Sequence, residues 1–126
     1  MPTIGNSQFK LLEKLCNAVA VSGDEGEVRA IVLEEIKGCC ETPKVDAIGN
    51  VLAVRSGTGK KRLRVMVAAH MDEVALIVKS IESNGLLAVA DSRGLNLRTV
   101  LGKAVQVGPD RLPGVVGIRP VHLAVS

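Results

Sequence analysis

The sequence predicts an α/β protein, with helices packed on a mostly parallel sheet and an all-β segment following. Three observations lead there: apolar residues at helical spacing through residues 7–38, an unalternating apolar run over residues 65–69, and β-prone runs divided by turn signals after Glu73. A run without polar alternation reads as a strand buried on both faces, and such strands occur mainly in parallel sheets covered by helices.

Residues 7–19 place Phe9, Leu12, Leu15, Cys16 and Val19 at helical spacing, which predicts a first helix with that face inward. Ser22-Gly23-Asp24-Glu25 has the form of a capping box, the serine hydroxyl accepting an early N–H and the glutamate reaching back. Val28, Ile31, Val32 and Ile36 carry a second helix towards Gly38. Thr42-Pro43 breaks it, because proline has no N–H and the residue before it avoids the α region. Residues 44–46 and 51–55 read as short β segments about Ile48-Gly49-Asn50. Residues 56–61 form a basic glycine-containing loop, but without the G-x-x-x-x-G-K-[ST] spacing or a following helix they are no phosphate cradle. Beyond Glu73 the β runs are residues 74–81, 86–90, 104–107 and 115–118. Their boundaries are Ser83-Asn84-Gly85, Gly108-Pro109-Asp110 and Pro113-Gly114.

At 126 residues the chain has the length of one domain, enough to bury roughly two-thirds of the surface its unfolded form exposes. Its 47% hydrophobic and 23% charged content belongs to globular proteins and not to disordered ones. The net charge of +3 and the cluster Lys60-Lys61-Arg62 with Arg64 are compatible with an anionic partner. Yet Phe9 is the sole aromatic, so no platform exists on which bases could stack, and no nucleic-acid partner is expected. Residues 1–10 lack an apolar signal core, and no run approaches the ~18 residues of a spanning helix, so no membrane partner is expected either. Cys16, Cys39 and Cys40 are odd in number and form no C-x-x-C pair, which indicates neither a disulfide framework nor a structural zinc site. A reducing cytoplasm is the expected location.

Chemistry concentrates where the apolar run stops, at His70-Met71-Asp72-Glu73. The carboxyl end of a strand in an open α/β sheet is where ligands bind. An imidazole that ligates a metal needs its other ring nitrogen fixed, and a carboxylate two residues on can accept that N–H. His70 is therefore the candidate metal ligand and Asp72 the candidate catalytic-site carboxylate that orients it. His122, the other histidine, reads as structural.

The whole run Ala69-His70-Met71-Asp72-Glu73 resembles the first metal-binding motif of the tetrahedral aminopeptidases, dinuclear metallopeptidases also known as glutamyl aminopeptidases or endoglucanases. Ala20-Val21-Ser22-Gly23-Asp24-Glu25 is similar to the family's P-S-G-x-E segment, and Asp46-Ala47-Ile48-Gly49-Asn50 to its D-x-x-G-N strand pair. Leu101-Gly102-Lys103-Ala104-Val105, Gly114-Val115-Val116-Gly117 and Pro120-Val121-His122-Leu123 are similar to later family stretches. Val21 and Ser92-Arg93-Gly94 depart from the pattern in loops.

The resemblance implies that residues 1–80 are the amino-terminal part of a catalytic α/β domain and residues 81–126 part of an inserted, barrel-like β domain used in assembly. It implies an aminopeptidase acting on peptides with two divalent ions, zinc or cobalt, in a homo-oligomer. The remaining ligands and the general base would lie beyond Ser126, and Glu73 is not that base. The chain by itself is thus expected to hold at most one weak metal site and to be inactive. The competing expectation is a non-enzymatic assembly module that pairs through its β segment.

Overall fold

A computed structural model describes residues 4–60, 63–92 and 94–118. The chain forms two compact units, Met1–Glu73 and Val74–Ser126. The division drawn from sequence, after residue 80, falls inside a strand that runs Leu76–Ile81.

The first unit opens with helix α1 (Asn6–Asn17), where the Gln8 side chain reaches back to accept the Gly5 N–H at 3.0 Å. Helix α2 is Gly26–Glu35. Between them the chain makes a tight turn, Asp24 N–H donating to the Val21 carbonyl at 2.7 Å. Gly23 takes φ +91° there, which a side chain would strain. Glu27, in the first turn of α2, accepts the Val19 N–H at 2.9 Å and fastens the connection to the helix.

Among the described residues the buried core is Ala18, Ala20, Val28 and Ile31, with Leu11, Leu15, Val32 and Met71 packed on it. The inward face of α1 is therefore Leu11, Leu15 and the following Ala18, spaced four and three apart, and not the face containing Phe9 and Leu12. Those two stay 57% exposed. Both stripes have helical periodicity, and the one that meets Val28 and Ile31 of α2 is the one that is buried.

Strands β1 (Lys44–Val45) and β2 (Val51–Leu52) pair antiparallel, with Lys44 opposite Leu52. Asp46 organises the turn between them. Its Oδ1 accepts the N–H groups of Ile48 and Asn50 at 3.1 and 2.9 Å, and its Oδ2 accepts the Asn50 amide at 2.8 Å. Gly49 has φ +91°, and its carbonyl receives Arg29 Nη1 from α2 at 2.8 Å.

The second unit consists of two hairpins. Strand β3 (Leu76–Ile81) pairs antiparallel with β4 (Leu87–Asp91) across the Ser83-Asn84-Gly85 turn, and β5 (Ala104–Val107) with β6 (Leu112–Val115). Sequence placed the last strand at residues 115–118, with Pro113-Gly114 as its boundary. Pro113 instead lies within β6, opposite Gln106. A two-stranded sheet consists of edges, and an edge tolerates a residue that cannot donate to the ladder.

The mostly parallel sheet expected from the sequence is absent among the described residues, whose strands make three two-stranded antiparallel sheets. Residues 65–69 carry no strand pairing, and Val65, Met66 and Val67 are 81, 89 and 91% exposed. The physical reason is direct: a strand buried on both faces needs a neighbour on each edge and cover above and below, and no described segment supplies them. The one parallel pairing described is an isolated bridge between Val21 and Glu73. The His122 motif and residues 121–125 lie outside the described residues, as do Lys61, Arg62 and Arg93.

Candidate functional site

The segment that carries His70 and Asp72 is fastened to the first unit at two points. Met71 packs on the core, and the Glu73 N–H donates to the Ala20 carbonyl at 2.7 Å. The Glu73 carboxylate also accepts the Ala20 N–H at 3.4 Å. Glu73 thus anchors this segment to the backbone of Ala20.

His70 Nδ1 lies 2.8 Å from the Asp72 carbonyl oxygen and 3.2 Å from Asp72 Oδ1. A carbonyl only accepts, so Nδ1 carries the proton and, in the neutral ring, Nε2 keeps its lone pair. The imidazole is 85% exposed. The spacing read from sequence does bring the two side chains together.

The other oxygen of Asp72 has a partner that sequence reasoning missed. Ser22 Oγ donates to Asp72 Oδ2 at 2.5 Å, across 50 residues of sequence. Ser22 does not cap α2: the N-cap position is Glu25, with no side-chain cap bond, and Glu25 instead accepts the Gly23 N–H at 2.6 Å. A Ser-Gly pair before a helix carries the signal of a cap, and nothing local shows that the hydroxyl is used elsewhere. The Ser22 hydroxyl is the main reason the Asp72 carboxyl sits below the ordinary carboxylate range; desolvation opposes it, while its own N–H and His70 add to the lowering.

Two cavities of about 260 and 250 Å³ share His70, Met71 and Asp72 in their walls. The first is completed by Leu15, Cys16, Ala18, Ala20 and Val28, which are apolar, and by Glu73. The second is bordered by Glu25 and by Ile48, Gly49 and Asn50 of the β1–β2 turn. No group of three or more His, Cys, Asp or Glu side chains converges among the described residues. Among the described residues the donors at this site are thus one imidazole with a carboxylate beside it, fewer than a closed metal centre needs.

The M42 glutamyl aminopeptidase family model matches residues 49–126. The chain belongs to this family. A lysyl aminopeptidase of Pyrococcus furiosus is 34% identical over 118 residues, 91% of this chain and 33% of that protein. Among solved structures, an endoglucanase from Thermotoga maritima matches with TM-score 0.76 and 38% identity, over 86% of this chain and 34% of its own. A Pyrococcus horikoshii TET1 peptidase, described as assembling into a tetrahedron or a large octahedral shell, matches with TM-score 0.73 and 33% identity, over 93% of this chain and 35% of its own. The M42 chain described here spans about a third of the length of each of these relatives.

Proposed function

We propose that the chain supplies the first metal-ligating histidine of a metal-dependent aminopeptidase that removes amino-terminal residues from peptides. The observation that supports this reading is the pair of contacts on His70 Nδ1, which leaves the Nε2 lone pair available to a metal ion. A bound divalent ion, zinc or cobalt, supplies polarisation of the scissile carbonyl and activation of water. The chain's own residues do the positioning: His70 offers Nε2, Asp72 holds the ring, and Glu73 and Met71 fix the segment to the core. One ligand is too few for a hydrolytic centre, since catalytic zinc needs three protein ligands and an open position. The 126 residues alone are therefore expected to be inactive.

In the complete fold, residues 65–69 take a place in a mostly parallel sheet and residues 81–126 form part of an inserted β domain. Free Cys16, Cys39 and Cys40 agree with a cytoplasmic location. Homo-oligomer formation is supported by the shells of the Pyrococcus horikoshii relative and by β3–β4 and β5–β6, in which every strand is an edge. The exposed Ile77, Val78, Ile81 and Leu86 also favour the second reading, an assembly module without catalysis.

Titration with zinc while the histidine ring nitrogens are followed by NMR tests the main reading. Nε2 of His70 is expected to shift on binding. A chain whose His122 ring responds while His70 stays unmoved overturns it.

A further inference from the structure

We propose that Ser22 is a positioning residue for the ligating nitrogen of His70, acting through Asp72. The inference rests on the reading of His70 as a metal ligand and adds a residue to that site. Its basis is the division of one carboxylate between two partners: Oδ2 receives the Ser22 hydroxyl at 2.5 Å, while Oδ1 stands 3.2 Å from His70 Nδ1. The torsion that swings a carboxylate has broad, shallow preferences, so a single partner leaves its plane poorly defined. A second hydrogen bond, on the other oxygen and from another segment of the chain, fixes it. An ionised carboxylate only accepts, so the hydroxyl is the donor, and a charge-assisted O–H···O⁻ bond is about twice as strong as a neutral one.

Ser22 can act this way because it is itself held. It occupies the turn closed by Asp24 N–H on the Val21 carbonyl, and Val21 bridges to Glu73. The turn and the segment of residues 70–73 are thus joined through the backbone, and the side-chain bond completes a closed loop of contacts. The hydroxyl is available because α2 does not use it as a cap.

The experiment uses the metal-free 126-residue chain in mildly alkaline buffer, with the His70 tautomer read from its ¹⁵N ring shifts. The Nδ1–H form, held by the Asp72 carbonyl at 2.8 Å as well as by Oδ1, is expected in the parent chain, a partial shift of population towards Nε2–H in Ser22→Ala because the carbonyl contact remains, and recovery of the parent ratio in Ser22→Thr, which keeps the hydroxyl. Zinc affinity at His70 is expected to fall about tenfold in Ser22→Ala, the lower end of the range for losing an outer partner, and to return in Ser22→Thr. A parent chain in the Nε2–H form overturns the proposal without any variant. So does an alanine variant whose tautomer matches the parent, or a threonine variant that fails to restore it. Because the tautomer is read without metal, failure of zinc to bind His70 would count against the ligand reading and leave the role of Ser22 to be decided by the ring nitrogens.

Discussion

At the scale of single residues, the site depends on side chains whose partners lie far off in sequence. Asp72→Ala removes the carboxylate that faces His70 Nδ1, though not the backbone carbonyl at 2.8 Å, and leaves Ser22 without its partner. Zinc affinity at His70 is expected to drop on the order of 10–100-fold, measured by calorimetry. Gly49 is a second sensitive position. It adopts φ +91°, and a Cβ there would run into the Arg29 guanidinium. Gly49→Ala should cost at least the ~1–2 kcal/mol of a left-handed alanine, read as a lowered urea midpoint. The pair His70 and Asp72 was legible because two residues on one strand-end segment meet locally. Ser22 was not, because a hydroxyl's partner 50 residues away leaves no periodic or local trace.

At the scale of elements, periodicity located the helices but not the face of α1 that is buried. Phe9 and Leu12 repeat at helical spacing as well as Leu11 and Leu15 do, and only the position of α2 decides between the stripes. Leu15→Ala is expected to cost on the order of 1–2 kcal/mol, below the 2–5 kcal/mol of a closed core because Leu15 is half-buried. Phe9→Ala should stay within about 0.5 kcal/mol, and equal losses in urea unfolding would contradict the assignment.

The β1–β2 turn gives a pH signature. The Asn50 amide first, then the Asn50 N–H, hold the Asp46 carboxyl below its ordinary value, the Ile48 and Gly49 N–H groups adding to this against desolvation. A carboxyl lowered in the folded state stabilises the fold above its unfolded value of about 3.9, and that contribution is lost as pH falls through the lower folded value. Asp46→Asn should flatten stability across that acid range, and parallel pH profiles for the two chains would contradict the role of the turn.

At the scale of the whole molecule, the apolar run at residues 65–69 shows what a sequence pattern can and cannot fix. It specifies a surface that seeks cover on both faces, while the cover itself depends on segments that the pattern does not contain. The same holds for the proposed metal site: His70 and Asp72 meet, and no group of three or more His, Cys, Asp or Glu side chains converges among the described residues. Unpaired hairpin edges lead to an expectation of self-association, which sedimentation at high micromolar concentration checks. A strictly monomeric species would count against it. The most direct measurement is release of amino acids from short peptides by the 126-residue chain with zinc or cobalt, beside its His70→Ala variant. No metal-dependent turnover is expected from either chain, because a single imidazole does not assemble a hydrolytic site. Turnover that requires the metal and disappears with His70→Ala would contradict this.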